Sequence, residues 1–521
     1  MWLHSSPRRR WAWLGIFGLC VAVAGAASLL IGKDVNWDLR NYHYYNAFAF
    51  LNGRFGWDLA PAQIQTYFNP LGDFPFYALV NVMPGPRSVA FAMALPTAIA
   101  AFFLLRMLPP LFAGSTVDRL LCIFCAAAIG LTAATGLSEV GSTMNEWLSA
   151  AFLMPGLYFM LRSVAGQDVG RDATVAGLLA GFATGLKLPN AVFALGMAAA
   201  IFVAAPAERR FRLTGFAVLG MTAGFLVSYG WWAWVLQQQY GSPVFPFFNA
   251  IFQSPWYEAE NWRDRGLGPR NAWEALIIPY LVGRGSKIVS NVALRDYRLA
   301  TLAVVGVLVL AAIIWRRMRR VEPAPTSREW LALTTFVLVA YLTWLAIFGV
   351  HRYLLLLELV SGALIVAGFA YLVPSRTAAR AVILVVAVLL IGTTRKPGWE
   401  RVPFGDRYFA LEVPALEAHA LVILSTDVPA SYAISSFRAD ARFVAPSNNF
   451  ITPEQGNRLA KAIAMLVRRH EGPLYLLGLR GRPLPAWLSS YGLESKGDGC
   501  QVVRSDADAN ALQVCTLRRM M

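Results

Sequence analysis

The chain has 521 residues, of which 57% are hydrophobic and only 15% charged, and its mean hydropathy is positive. Soluble domains carry nearer about 25% charged residues, so composition alone indicates a polytopic membrane protein. The formal charge of +16 falls in short Arg clusters between apolar runs. It forms no contiguous soluble face, which argues against a nucleic-acid-binding module.

Residues 1–10 end in Arg8-Arg9-Arg10, and an unbroken apolar run over 11–32 follows. That run is long enough to span about 30 Å of hydrocarbon. It is also longer than the apolar part of a signal peptide, so it reads as an uncleaved anchor with its N-terminus in the cytoplasm. Ala24, Ala26 and Ala27 leave cleavage open as the alternative. Further apolar runs lie at 87–112, 119–136, 144–163, 173–186, 188–205, 213–236, 298–315, 329–350, 353–373 and 377–393. About eleven spans are therefore expected. Arg106, Arg119, Arg162, Arg171, Arg209, Arg210, Arg212, Arg316, Arg317, Arg319, Arg320, Arg376 and Arg380 then all fall on the side of the N-terminus. This is the positive-inside pattern, and it predicts the placement of the remaining loops outside. The stretch 173–205 fits either two short helices hinged at Gly185-Leu186-Lys187-Leu188-Pro189-Asn190 or one long bent helix.

Four polar groups share the outer side in this topology: a first loop (33–86), the turn holding Glu139 and Glu146, the Lys187 hinge, and a loop over 237–298. His351-Arg352-Tyr353 joins them at the tip of a late hairpin. From 398 the composition becomes polar. Leu421 to Leu424 reads as a buried strand, Thr452-Pro453-Glu454 as the cap of a helix running to about His470, and Pro473 to Leu479 as a second strand. The expected class is a polytopic α-helical membrane protein, with a membrane domain over 1–397 and a small soluble α/β domain over 398–521 on the outer side.

Two readings of Asp38 stand side by side. It lies where an N-cap belongs, before a helix predicted over 39–52 with Tyr42, Tyr45 and Ala49 on one face. It is also a carboxylate placed to act as a general base at the membrane surface. Asp34, one turn earlier, either shares that site or solvates the start of the helix. Tyr42, Tyr44 and Tyr45 suit an interfacial aromatic belt equally well. Tyr67-Phe68-Asn69-Pro70 and Asp73 read as an amphipathic segment lying on the bilayer.

The pattern Asp38-x3-Tyr42-x10-Gly53 resembles the first outer loop of the GT-C superfamily of membrane glycosyltransferases, the dolichyl-phosphate-mannose–protein mannosyltransferases among them. Three further stretches are similar to that group: Gly185-Leu186-Lys187-Leu188-Pro189, Gly241-Ser242-Pro243-Val244-Phe245-Pro246 and His351-Arg352-Tyr353. The resemblance covers most of residues 10–395. It implies a catalytic Asp38, a polyprenyl-phosphate-linked sugar as donor, and Glu139 and Glu146 as residues that hold the acceptor or a divalent metal ion. Many members follow the catalytic Asp with a second acid; here that position is Leu39.

Physical chemistry accommodates this implication. The phosphate gains negative charge as the glycosidic bond breaks, and Lys187, Arg352 and His351 are candidates to hold it. The alternatives are snorkelling of Lys187 and Arg352 to the headgroups, a backbone partner for His351, and a helix-start carboxylate for Glu146. Cys122 and Cys125 read as small core residues. Cys500 and Cys515 flank a hairpin and would pair in an oxidising compartment, closing a loop worth about 3 kcal/mol. No Walker loop, dinucleotide fingerprint or zinc spacing is present, which argues against an ATP-driven pump and a nucleotide-sugar donor.

The leading expectation is an inverting glycosyltransferase that works on an extracytoplasmic glycan, lipid or protein acceptor. Its expected setting is a bacterial-type inner membrane, with partners limited to the lipid bilayer, the lipid-linked donor and the acceptor. A lipid-linked oligosaccharide polymerase or ligase would use the same face. A transporter or flippase would need polar residues at mid-membrane depth and often shows repeats, and neither is seen in the sequence.

Overall fold

The computed structural model describes residues 7–166, 169–262, 266–320, 327–507 and 511–520. The expected cytoplasmic position of the N-terminus concerns residues 1–6, which lie outside them. In chain order the helices are α1 (Pro7–Ile31), α2 (Tyr44–Leu51), α3 (Phe74–Val82), α4 (Pro86–Met93), α5 (Leu95–Met107), α6 (Thr116–Leu131) and α7 (Ala134–Glu139). Next come α8 (Asn145–Val164), α9 (Val169–Leu186), α10 (Ala191–Ala204), α11 (Arg210–Phe225), α12 (Trp231–Tyr240), α13 (Asn249–Phe252) and α14 (Ala272–Gly283). They continue with α15 (Arg298–Met318), α16 (Arg328–Ile347), α17 (Leu355–Leu372), α18 (Arg376–Thr393) and α19 (Arg458–Arg469).

Eight segments among the described residues are long and apolar enough to cross a membrane, and the protein is a multi-pass membrane protein. They are Arg10–Ile31, Pro86–Met107, Asn145–Val164, Arg210–Tyr240, Arg298–Met318, Arg328–Ile347, His351–Leu372 and Arg376–Thr393. The other three expected spans fall short by that measure. Helices α6 and α10 are 16 and 14 residues long, and α9 carries Arg171 and Asp172 in its first turn. A 3-10 turn, Leu188–Asn190, separates α9 from α10, so this stretch is two helices and not one bent one.

One pairing restricts the count. Strand β1 (Lys33–Asp34) follows the first span, β2 (Arg401–Val402) follows the last, and the two are antiparallel neighbours. The chain therefore returns after α18 to the side it reached after α1. The seven further long segments alone would leave it on the opposite side.

Close helix packing depends on missing side chains. Helices α9 and α11 meet through Gly177 and Gly181 on one and Gly220 and Gly224 on the other. A Cβ on Gly181 would lie 1.9 Å from the Met221 carbonyl oxygen, and one on Gly224 2.0 Å from that of Leu178. Lipid offers no hydrophobic drive for two helices to associate, so this backbone contact supplies the dispersion energy instead.

The C-terminal region forms a five-stranded sheet from β3 (Leu421–Leu424), β4 (Arg442–Val444), β5 (Leu474–Leu479), β6 (Leu493–Val503) and β7 (Leu512–Arg519). Its order is β4-β3-β5-β7-β6, with β3 parallel to β4 and β5, and β7 antiparallel to β5 and β6. Leu421-Val422-Ile423-Leu424 is apolar throughout because both faces are covered, as in parallel sheets generally. Leu421 and Ile423 share a core with Leu459, Ile463 and Val467 of α19. Val422 and Leu424 share another with Leu39, Tyr42, Tyr44 and Tyr45 of the first loop. Helix α19 starts later than Thr452-Pro453-Glu454 suggested, because its cap is Asn457, whose side chain accepts from the Ala460 amide. Cys500 and Cys515 are register partners across β6 and β7 and are joined as a disulfide.

The first loop and the sheet are one structure. The Leu59 amide donates to the Phe443 carbonyl, and the Ala445 amide donates to that of Leu59, so Leu59 extends the β4 edge. The Arg54 guanidinium, held by Asp58, donates to the carbonyls of Ala439 and Ala441 at 2.9 and 2.7 Å.

Candidate active site

The expected helix over 39–52 is wound in two ways. Residues Leu39–His43 take the wider π geometry, and α2 continues from Tyr44. Capping falls to Asn36, whose Oδ1 accepts from the Leu39 amide at 2.9 Å. Asp38 already has helical backbone angles, and its side chain makes no cap bond. Its carboxylate is thus left for another partner.

That partner is Arg352, whose Nη1 donates to Asp38 Oδ2 at 2.6 Å. Arg352 sits in the 3-10 turn His351–Leu354 that leads into α17. Its Nε lies 3.5 Å from Glu146 Oε1 at the start of α8, and that oxygen also accepts from Lys187 Nζ at 2.5 Å. Lys187 stands between α9 and α10, with its ammonium 4.6 Å from the centre of the Tyr353 ring. Four sequence-distant elements thereby meet through Asp38, Arg352, Glu146 and Lys187, two acids and two bases. A cleft beside them is lined by Glu146, Ser149, Lys187, Asn190 and Tyr353. Within it the Asn190 amide donates to Ser149 Oγ at 2.8 Å.

Burial opposes ionisation of Asp38, but the Arg352 guanidinium, foremost among its neighbours, outweighs it and holds the carboxyl below its ordinary range. Tyr42 is pushed well above the usual phenol range, by burial first and then by Asp38, so it remains a donor. Glu139, at the end of α7, is fully buried, and neither of its carboxyl oxygens has a hydrogen-bond partner among the described residues. Burial, reinforced by Glu146, raises it well above the carboxylate range, so it is carried as the neutral acid.

Two expected site residues have other partners. The Asp34 carboxylate accepts from the Asn36 side chain at 2.8 Å, and from the Thr143 amide and hydroxyl at 2.8 and 3.0 Å. It ties the first loop to the turn before α8. His351, expected among the phosphate-binding residues, has Nε2 2.9 Å from Glu358 Oε1, which also accepts from Thr135 at 3.2 Å. The stretch from Tyr67 to Asp73 is mostly buried within the protein, with Phe68 and Leu71 half-buried. The Asn69 side chain donates to the carbonyls of Gly185 and Ser228, and Asp73 lies 2.6 Å from His43 Nδ1. Tyr44 and Tyr45 are buried too, so neither forms a membrane belt.

Sequence reasoning passed over Asn36, His43 and Glu358. A second capping residue two positions before Asp38 is the signal that would have freed Asp38 from the cap. A divalent metal implied by the resemblance does not fit these residues. Among the described residues no three His, Cys, Asp or Glu side chains come together as a ligand set, and Glu146 is already surrounded by cations.

Comparison with known proteins places the architecture. No family model matches the chain, and no curated protein does. Solved structures do. The crystal structure of ArnT from Cupriavidus metallidurans bound to undecaprenyl phosphate aligns with a TM-score of 0.52 at 11% identity, covering 96% of this chain and 98% of that one. The apo form of that protein aligns at 0.43 with 13% identity and the same coverage. The Archaeoglobus fulgidus oligosaccharyltransferase in its apo form aligns at 0.46 with 11% identity, over 91% of this chain and 70% of that one. The membrane helices and C-terminal sheet together share the fold of the structure solved with undecaprenyl phosphate.

Proposed function

We propose that the protein transfers a sugar from a polyprenyl-phosphate donor to a hydroxyl of an extracytoplasmic glycan, lipid or protein, with inversion at the anomeric carbon. The observation that carries this is the meeting of one carboxylate, Asp38, with two cations, Arg352 and Lys187, at one end of the helix bundle. The fold neighbour solved with undecaprenyl phosphate supports a lipid-phosphate donor.

The acceptor oxygen attacks the anomeric carbon as its proton passes to Asp38. The electron pair of the sugar–phosphate bond leaves with the phosphate, whose growing charge Arg352 and Lys187 offset. The donor phosphate and Asp38 compete for the Arg352 guanidinium, so donor binding loosens the bond that keeps Asp38 a weak base. Glu146 keeps Lys187 in place, and neutral Glu139 serves the acceptor side as a hydrogen-bond donor. The setting is a bacterial-type inner membrane, with the N-terminus cytoplasmic and residues 398–521 outside. No step is routed through a metal ion.

The test is incubation of the purified full chain in nanodiscs with a panel of labelled polyprenyl-phosphate sugars and envelope acceptors. Transfer that disappears in Asp38→Asn supports the reading. Absence of transfer from every donor in the panel overturns it.

A further inference from the structure

An arginine side chain is long and has many rotamers, so a guanidinium that must meet a phosphate works best when its base is fixed in advance. Arg352 lies in the short turn His351–Leu354, between α16 and α17. The turn is pinned at its entrance by the Trp344 indole, whose Nε1 donates to the Val350 carbonyl at 2.8 Å. It is pinned again one residue before Arg352, by His351.

His351 is 0% exposed, and its Nε2 lies 2.9 Å from Oε1 of Glu358, itself 1% exposed. The same oxygen accepts from Thr135 Oγ1 of α7 at 3.2 Å, and it accepts from the ring Nε2–H in the same way. Glu358 thus joins α17 to α7 and to the turn that carries Arg352. It lies within the span His351–Leu372. A carboxylate there is strongly disfavoured, and acids inside spans belong to pairs or to function. This pair is a poor device for stability alone. Glu358 Oε2 and His351 Nδ1 have no hydrogen-bond partner among the described residues, which offsets much of what the pairing contributes. Neither residue lines the cleft beside Lys187, so neither is placed to touch a ligand there.

We infer that Glu358 is a positioning residue for Arg352. Through His351 it fixes the turn from which the guanidinium reaches Asp38 at 2.6 Å and stands 3.5 Å from Glu146. The inference rests on the sugar-transfer reading for the role of Arg352 toward phosphate. Glu358 itself touches no reacting atom. A turn held beforehand does not have to be ordered by the donor, and the ordering cost so avoided is expressed as affinity.

The experiment measures binding of undecaprenyl phosphate to the full chain in nanodiscs. It compares wild type, Glu358→Met, Glu358→Gln, Arg352→Ala, and Arg352→Ala with Glu358→Met. Methionine fills the space and removes both hydrogen bonds, whereas glutamine keeps an oxygen for His351 and Thr135. Positioning predicts about ten- to a hundredfold weaker binding in Glu358→Met, recovery in Glu358→Gln, and no further loss when Glu358→Met is added to Arg352→Ala. Additive losses, or undiminished binding in Glu358→Met, overturn the inference. If Glu358→Met fails to fold, His351→Leu with Glu358→Met takes its place, since apolar replacement of both members of a buried pair is often tolerated. A second measurement needs no lipid. The coupling between Asp38 and Arg352, from the thermal stabilities of Asp38→Asn, Arg352→Ala and the double variant, should be lost in the Glu358→Met background. A coupling of the same size there overturns the inference. Absence of undecaprenyl phosphate binding in wild type would instead count against the functional reading, and the coupling would still decide the positioning role.

Discussion

Arg352 and Asp38, separated by 314 positions, are joined by a 2.6 Å hydrogen bond between guanidinium and carboxylate. Because Arg352 also stands 3.5 Å from Glu146, it has a second acid when the first is removed. Asp38→Asn should therefore leave stability nearly unchanged while transfer per folded molecule falls about 10²–10⁴-fold, roughly 3–5 kcal/mol at the barrier. Arg352→Ala should weaken transfer as well, and the double variant should lose less than the sum. Strict additivity in a double-mutant cycle would show that the two residues act apart. Normal turnover in Asp38→Asn would remove it as the base.

Glu139→Gln tests the buried neutral acid. The folded protein holds the Glu139 proton above the ordinary glutamate range of about 4.3, whereas the unfolded chain releases it there. Folding then takes up a proton, and the residue's contribution becomes less favourable as pH rises. Glutamine has the same shape and no charge to bury. The melting temperature of Glu139→Gln relative to wild type should be unchanged near pH 4 and should rise towards pH 8. A constant difference would mean that Glu139 is ionised in the folded state.

Gly181→Leu should separate α9 from α11, since even a Cβ meets the Met221 carbonyl at 1.9 Å. Overpacking of this kind costs typically about 1–3 kcal/mol. The same helix ends at Leu186, next to Lys187, so donor binding should weaken along with thermal stability. Gly215→Leu in α11, where a Cβ meets nothing within 4 Å, is the control and should melt as wild type does.

The pairing of β1 with β2 puts the first loop and the start of the C-terminal region together, and the proposed orientation puts the turn after α15 on the opposite side. Reporter fusions ending at Arg320 and at Arg519 should report opposite sides of the membrane. Agreement between them would dismantle the proposed orientation of the site. Cys500 and Cys515 should resist alkylation until reduced, and Cys500→Ser with Cys515→Ser should destabilise the C-terminal sheet by about 3 kcal/mol, on the chain-entropy account of a loop this short.

Apolar runs were enough to read most of the membrane helices, because lipid allows few backbone solutions. Asp38, Glu146, Lys187 and Arg352 were legible one at a time, as charges in turns otherwise poor in them. Their order of contact was not, since which cation reaches which acid depends on helix packing. His351 shows the difference. Beside Arg352 in sequence it reads as a phosphate ligand; in the fold its Nε2 meets Glu358, one helical turn into α17, and its Nδ1 has no hydrogen-bond partner among the described residues. The π winding at Leu39–His43 leaves no mark in hydrophobic periodicity either, so the pairing of His43 with Asp73 stayed hidden.

Leu59 completes the edge of a sheet whose adjoining strand is more than 380 positions further along, and Arg54 donates to carbonyls 385 and 387 positions away. Synthesis delivers the loop long before the strand. The segment that carries Asp38 and His43 must therefore wait, unsupported, while every membrane helix is made. A ribosome that stalls or a protease that cuts before β4 leaves a protein with all its spans and no working site. Formation of the β4 edge is thus a late step in assembling the proposed site.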